Sequence, residues 1–152
     1  MLFKRISRSN PEVVYAVVQN VSGSTATAGY SVVFDIGASV NGVRVTQASS
    51  TDLQAYAGVA DADIANNDYG LAQVYGYRAS AYIYSSAGSS VGGDNLSVVA
   101  DEWGVTPATT LGTAKSFGFL CEAVAASSSS ETAISFMGRQ DRMASQPLAT
   151  FP

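Results

Sequence analysis

Short runs of β-branched and aromatic residues, separated by glycine and by Asn/Asp turn signals, recur along most of this chain. The pattern is clearest between Ala57 and Asp94, where Tyr69-Gly70 and Tyr75-Gly76-Tyr77 punctuate two apolar runs. Runs of roughly four to eight such residues are typical of strands rather than of helices. Many short strands joined by turns predict an all-β fold, either a small β-barrel or a sandwich.

The predicted strands extend over most of the sequence. They cover residues 13–21, 30–35, 42–47, 54–60, 70–77, 79–84, 95–100, 117–126 and 132–137. Residues 104–116, which contain Pro107 and a threonine cluster, are predicted to be a loop, and the four serines at 127–130 a connector. Helix signals are sparse, and only residues 55–64 could form a short helix.

Length and composition predict one globular domain. The chain has 152 residues, of which 47% are hydrophobic, so it can bury a core of its own. We expect an N-terminal arm over residues 1–11, a β-barrel domain over 12–140 and a C-terminal tail over 141–152. The sequence contains neither the apolar run of a signal peptide nor a membrane-length apolar segment, so we expect a soluble protein made in a reducing cytoplasm.

Charge is scarce and unevenly spread. Charged residues make up 13% of the chain, and the formal net charge is −4. This balance argues against nucleic-acid binding, which needs a basic surface. Basic residues lie near the two ends and flank an acidic body: Lys4, Arg5, Arg8, Arg139 and Arg142. The ends are either solvated tails or segments that bind an acidic partner surface.

The usual catalytic groups are missing. The chain has no histidine, which removes the commonest general base and metal ligand. Its single cysteine, Cys121, lies in an apolar run and is expected to be a small buried side chain. The segment from Gly88 to Gly92 fits the G-x-S-x-G pattern of hydrolases, but that site also needs a histidine. We therefore expect no enzymatic activity and no cofactor.

Three aspartates could supply oxygen ligands to a calcium ion. Asp61, Asp63 and Asp68 lie close together in the sequence, but the spacing does not match an EF-hand, because Ala65 and Ala72 occupy ligand positions. Asn and Asp in such a cluster favour tight turns. We expect a turn here and leave open whether the aspartates bind an ion.

Tyrosines are concentrated in one region of the chain. They are Tyr69, Tyr75, Tyr77, Tyr82 and Tyr84. The two-residue period of a strand places Tyr75 and Tyr77 on one face, and Tyr82 and Tyr84 on one face. Tyrosines arranged in this way can form an oligomer interface, pack across strands or stack on sugars.

Six segments of the chain together resemble a known family. They are Gly29-Tyr30-Ser31-Val32-Val33, Gly58-Val59-Ala60, Tyr69-Gly70-x-x-x-Val74-Tyr75-Gly76, Gly93-Asp94-x-Leu96, Phe117-Gly118-Phe119-Leu120-Cys121-Glu122-Ala123 and a closing strand from Thr132 to Met137. From about residue 28 to residue 138 the chain resembles the small head decoration proteins of tailed bacteriophages, also called capsid cement proteins. The arm and the tail lie outside the resemblance.

The resemblance implies a β-barrel or tulip-like domain, often a homotrimer, bound to the major capsid protein on the outer surface of the virion. It implies no enzyme activity and transfers no catalytic residue. An arm such as residues 1–10 could add a strand to a coat subunit. The basic ends would then contact the capsid and the tyrosines an oligomer interface. Two alternatives stay open: a receptor- or glycan-binding module of a virion fibre, and another minor coat or tail protein.

Overall fold

The computed structural model describes residues 13–37, 41–84, 90–107, 116–124 and 129–136, with only the backbone described for the last range. These residues form nine strands and no helix. The strands are β1 (Val14–Asn20), β2 (Ser31–Phe34), β3 (Arg44–Thr46), β4 (Tyr56–Ala60), β5 (Tyr69–Tyr84), β6 (Asn95–Val98), β7 (Val105–Pro107), β8 (Gly118–Leu120) and β9 (Ser129–Phe136). The all-β prediction is confirmed. In this part of the chain no helix is long and apolar enough to span a membrane.

The first half of the chain closes into a ring of strands, which we call ring one. β1 pairs in parallel with β3, and β3 pairs antiparallel with β2. β2 then pairs with β4 and β4 with the first part of β5, both antiparallel. The ring closes because β5 also pairs antiparallel with β1. Closure of this kind reduces the number of unpaired strand edges without a second sheet, although β3 reaches only the Gln19–Asn20 end of β1.

The second half of the chain closes into another ring, ring two, which shares β5 with the first. The second part of β5 pairs with β9, β9 with β8, β8 with β6 and β6 with β7, all antiparallel. A single parallel pair, Ile83 with Val105, returns from β7 to β5. The barrel prediction is thus confirmed in the form of two small rings that have one long strand in common.

β5 bends where it passes from one ring to the other. Val14 of β1 pairs with Tyr75, and the next residue of β5, Gly76, pairs with Phe136 of β9. Gly76 has φ = 101°, a conformation that glycine adopts without steric cost. The two strands predicted at 70–77 and 79–84 are therefore one strand, and its pairing with β9 shifts register at a bulge between Arg78 and Ala81.

The buried apolar side chains form two clusters. One fills ring one and contains Val18, Ala26, Val32, Val45, Ala57, Ala60, Ile64 and Ala72. The other contains Val33, Ala48, Val59, Ala81, Ile83, Leu96, Val98, Val105, Leu120 and Val124. Val32 and Val33 are consecutive yet belong to different clusters. Successive side chains of a strand point to opposite faces, and both faces of β2 are buried. β2 and β4 thus separate the two cores.

Two local predictions were wrong. The predicted loop at 104–116 contains β7. β4 lies within the strand predicted at 54–60, and the short helix that residues 55–64 could have formed is absent. The predicted serine connector is partly strand, since Ser129 and Ser130 pair with Tyr84 and Ile83. A ladder uses main-chain groups, so serines can enter it when a partner strand is near. The predicted arm and tail lie outside the described residues, and the predicted domain boundaries stay predictions.

Candidate interaction surface

The outer side of the β1–β5 pair exposes large apolar side chains. Along β1 the side chains alternate: Val18 and Asn20 are buried inside ring one, whereas Tyr15 and Val17 point outward and are 45% and 58% exposed. A strand that closes a small ring has one face toward the core, and its other face meets solvent unless something covers it. Among the described residues, nothing covers Tyr15 and Val17.

β5 continues the same exposed face. Leu71 lies directly opposite Val17 and is 45% exposed, and Tyr69, opposite Gln19, is 65% exposed. Directly opposed side chains in an antiparallel pair lie close enough to touch. We call Tyr15, Val17, Tyr69 and Leu71 the ribbon face. None of the four is charged, so the ribbon face offers apolar surface that a binding partner could cover.

The five tyrosines predicted as an interface divide into two groups. Tyr69, Tyr75 and Tyr77 are exposed, the last two at the bend of β5. Tyr82 and Tyr84 are half-buried. The structure therefore does not bring all five tyrosines onto one surface, and their role at an interface stays a prediction.

The half-buried pair packs within the protein. The ring of Tyr82 lies 5.4 Å from that of Tyr30, whose other neighbour is Trp103, also at 5.4 Å. The backbone of Gly104 lies close against Tyr84, because a Cβ at Gly104 would be 2.9 Å from the Cβ of Tyr84. This row of aromatic rings fastens the segment before β7 to β5.

β1 has an edge that no strand covers in the described part of the chain. The Gln19 N–H donates to the Val43 carbonyl at 2.8 Å, and the Asn20 N–H donates in the other direction to Asp68 at 3.0 Å. Before Val43 the chain turns away from β1 at Gly42, where φ is 77°. From Val14 to Val18, β1 therefore pairs with β5 on one side and with no other strand that the structure describes. We call this the open edge.

Two of the three aspartates for which ion binding was left open bond to separate partners. Asp61 forms a salt bridge with Arg78 at 3.1 Å, and the Asp63 carboxylate accepts the Ala28 N–H at 2.8 Å. Asn67 has φ = 68°, the left-handed conformation that the predicted turn requires. Among the described residues, no group of three His, Cys, Asp or Glu side chains is placed to hold a metal ion.

Arg78 is a structural residue that the sequence analysis did not identify. Its side chain is 12% exposed and lies beside the bend of β5. The guanidinium donates to the carbonyls of Ser80 at 2.6 Å and Ala60 at 3.0 Å, in addition to Asp61. It also donates to the side-chain oxygen of Gln73 at 3.4 Å, and thus joins β4 to both sides of the bend. A sequence signal did exist, since an arginine within an apolar strand is rarely left without such partners.

The single thiol is not activated. Partial burial raises the pKa of Cys121, and the neighbouring Glu122 carboxylate raises it further. A raised pKa keeps the thiol protonated at neutral pH, and the thiolate is the nucleophilic form. The sequence predicted a buried side chain, whereas the structure leaves Cys121 partly exposed in the bend that follows β8.

The basic ends lie outside the described residues. Lys4, Arg5 and Arg8 precede β1, and Arg139 and Arg142 follow β9. Their predicted contact with a capsid stays a prediction. The described chain begins at Val13, directly before β1, the strand that carries the open edge and part of the ribbon face.

No protein-family model matches this chain, and no curated protein matches its sequence. Among solved structures, the N base of the head fibre protein gp8.5 of bacteriophage phi29 is similar, with a TM-score of 0.49 and 18% sequence identity. The match covers 84% of this chain and 100% of that chain. A likeness of this size assigns no function.

Proposed function

We propose that this protein is a structural component of a bacteriophage virion, which binds the outer surface of the capsid and stabilises the mature lattice. The observation that carries the proposal is the ribbon face, an uncharged apolar surface on a closed β-scaffold. The basic residues Lys4, Arg5 and Arg8 precede it in the sequence. The sequence resemblance to capsid decoration proteins supports the same role.

The proposed contact has two parts. The ribbon face would supply apolar burial, and covering each of its half-exposed side chains would contribute on the order of 1 kcal/mol before the cost of association. Lys4, Arg5 and Arg8 would supply charge complementarity to an acidic coat surface. Neither part needs a catalytic group.

Stabilisation of the lattice follows from linkage. A protein that binds the expanded shell and not its precursor stabilises the expanded state by its own binding free energy. Because a shell repeats the same site many times, modest individual contacts together resist disassembly. The function proposed here therefore requires moderate affinity and high copy number rather than chemistry.

The proposal is tested by co-sedimentation with empty capsids assembled from the coat protein encoded in the same genome. The full-length chain should bind expanded shells saturably, and a chain lacking residues 1–10 should bind them weakly. Unexpanded shells are the comparison. Absence of binding by the full-length chain to either shell would overturn the proposal.

Matched variants separate the contributions of the arm and the ribbon face. Replacing Lys4, Arg5 and Arg8 by Gln removes the charges of the arm, whereas Leu71→Ser removes apolar surface from the face. Both variants should fold, which circular dichroism checks. Each should bind expanded shells more weakly, and an unchanged affinity in both would contradict a two-part contact.

A second candidate function has its own support. Tyr69, Tyr75 and Tyr77 are exposed in the described structure, as a glycan-binding module of a virion fibre requires. Binding to a glycan array that is lost in Tyr75→Ala, with no binding to shells, would favour this candidate. A minor coat or tail protein would instead sediment with tails or with other parts of the particle.

A further inference from the structure

The open edge of β1 has main-chain groups in a defined arrangement. Along a regular strand, successive residues direct their N–H and C=O groups to alternate sides. The N–H of Gln19 points toward β3 and that of Asn20 toward β5. The extra residue that shifts the β1–β5 register lies on β5, since Val14 and Tyr15 pair with Tyr75 and Gln73. The alternation therefore runs unbroken along β1.

It follows which main-chain groups of β1 have no partner within the described part of the chain. Tyr15 and Val17 lie four and two residues before Gln19, so their N–H and C=O groups point to the same side as those of Gln19, which is the open edge. Those of Ala16 and Val18 point to β5, where Ala16 pairs with Ala72 and Val18 with Gly70. Val43 already occupies the position beside Gln19. An added strand can thus use Tyr15 and Val17 and must end before Gln19.

We propose that the occupant of the open edge is the same edge of a second copy of this chain, paired antiparallel across a two-fold axis with Ala16 opposite Ala16. In this register Tyr15 of each copy lies opposite Val17 of the other, and both residues direct their free groups at each other. Centring the pair on Val17 would place Tyr15 opposite Gln19, whose N–H is taken. Within β1, only the pair centred on Ala16 uses the groups of both Tyr15 and Val17 in each copy, because centring on Tyr15 would place Val17 opposite Val13, outside the strand.

Surface chemistry favours a second copy over an unrelated strand. The two surfaces that meet across a two-fold axis are identical and must be self-complementary. The segment from Val14 to Val18 (Val-Tyr-Ala-Val-Val) has no charged side chain, so the two copies would not repel each other there. The chain as a whole has a net charge of −4, so copies approach most easily through an uncharged surface. Tyrosine opposite valine is also a favourable cross-strand pair.

The pairing would have a consequence for the ribbon face. The two-fold axis would be perpendicular to the sheet. The joined strands would then follow the order β5 and β1 of one copy, then β1 and β5 of the other, with the two ribbon faces side by side on one surface. The inference goes beyond the proposed function and does not depend on it. It also differs from the homotrimer that the resemblance implies, and the mass in solution decides between the two assemblies.

The first test is the mass of the purified full-length protein, measured by analytical ultracentrifugation over a range of concentrations. A reversible monomer–dimer equilibrium is expected. A mass that stays monomeric across the range, or a trimer, would overturn the proposal. Capsids are absent from this experiment, so its failure is independent of the proposed function.

The second test addresses the register. In a Cys121→Ser background, Ala16→Cys would place two thiols opposite each other as a non-hydrogen-bonded pair, with Cα atoms about 4.5 Å apart and within disulfide range. Ser50→Cys, at an exposed position far from β1 in sequence, is the control. A16C should form a disulfide-linked dimer on mild oxidation. Cross-linking no faster than in S50C would overturn the register.

The third test removes one edge hydrogen bond without touching β5. The Val17 N–H points to the open edge, and proline is tolerated where an edge N–H faces away from the ladder. Val17→Pro should therefore abolish the dimer, whereas Val17→Thr keeps the N–H and should retain it. A dimeric V17P would contradict the proposal. If V17P does not fold, the cross-linking result decides.

Discussion

Gly58 occupies the place where β4 passes closest to the backbone of β5. A Cβ at this position would lie 2.6 Å from the main-chain oxygen of Gln73 and 3.2 Å from the Cβ of Ala72. Neither neighbour can move without disturbing the β4–β5 pairing that helps to close ring one. The requirement for glycine is thus one of space, since Gly58 has no unusual backbone conformation.

We predict that Gly58→Ala lowers the free energy of unfolding by about 1–3 kcal/mol, the usual cost of forcing a methyl group into a packed interior. Urea denaturation measures the change. Ser50→Ala, at an exposed turn, is the control and should have little effect. Equal stability of G58A and the parent chain would contradict the packing described here.

Tyr56 couples stability to alkaline pH. Burial raises its pKa well above the usual value, and the positive charge of Arg78 lowers it only in part. The ring stacks on Phe117 with centroids 3.6 Å apart. Because the folded pKa lies above the unfolded one, the unfolded state loses its proton first. Stability is therefore fully present below about pH 10 and falls as pH rises further.

We predict that Tyr56→Phe makes unfolding less sensitive to pH in the range above about pH 10. Thermal melts of the variant and the parent at a series of alkaline pH values measure the difference. Tyr69→Phe, a change at an exposed ring, is the control. A parent and Y56F that lose stability in parallel would show that Tyr56 ionises as freely in the folded state as in the unfolded one.

Some single-residue features could be predicted from the sequence and others could not. The cluster around Asn67 predicted a turn because its signal is local, and Asn67 does adopt the left-handed conformation. The role of Arg78 depends on Ala60 and Asp61, which only the fold brings to its side chain. The exposure of Tyr69 and the burial of Tyr82 likewise depend on what packs against each.

At the scale of elements, the bend of β5 depends on Arg78. Its guanidinium contacts carbonyl or carboxylate oxygens on β4, on the turn after β4 and on β5 itself. Removing it would leave the Ala60 and Ser80 carbonyls without these donors. Arg44 makes a simpler contact, a partly exposed salt bridge to Asp35 at 3.0 Å.

We predict that Arg78→Ala lowers the free energy of unfolding by at least about 2 kcal/mol, because it deletes several charge-assisted hydrogen bonds at once. Arg44→Ala should cost about 1 kcal/mol or less, as for other partly exposed pairs. Chemical denaturation of both variants gives the comparison. Similar losses in the two would contradict a special role for Arg78 at the bend.

Elements with a strong local pattern were predicted, and those defined by their partners were not. β1, β2, β3 and β4 lie inside predicted strands, because their residues are β-branched or alternate in polarity. β7 has three residues, ends at Pro107 and is recognisable only by its pairing with β6. The serines of β9 have no strand propensity and are held by β5.

At the scale of the whole molecule, the predicted contact of the basic N-terminal residues with a capsid stays a prediction. We predict that binding to expanded capsids weakens as salt concentration rises, because contacts made by Lys4, Arg5 and Arg8 would be screened. Replacing the three by Gln should weaken binding at low salt and flatten the salt dependence. Sedimentation at several salt concentrations measures both, and an identical salt dependence would contradict an electrostatic role for the arm.

Because β5 belongs to both rings, the strands of ring one are synthesised before those of ring two are complete. The strands of ring one end at Tyr75, whereas ring two is complete only when Phe136 has been made. A chain growing from its N-terminus on the ribosome therefore possesses every strand of ring one while β6 to β9 are still missing. At that stage the second part of β5 is an unpaired strand that carries Ile83, a template for pairing between nascent chains. Synthesis and docking of β9, the last strand, remove that hazard.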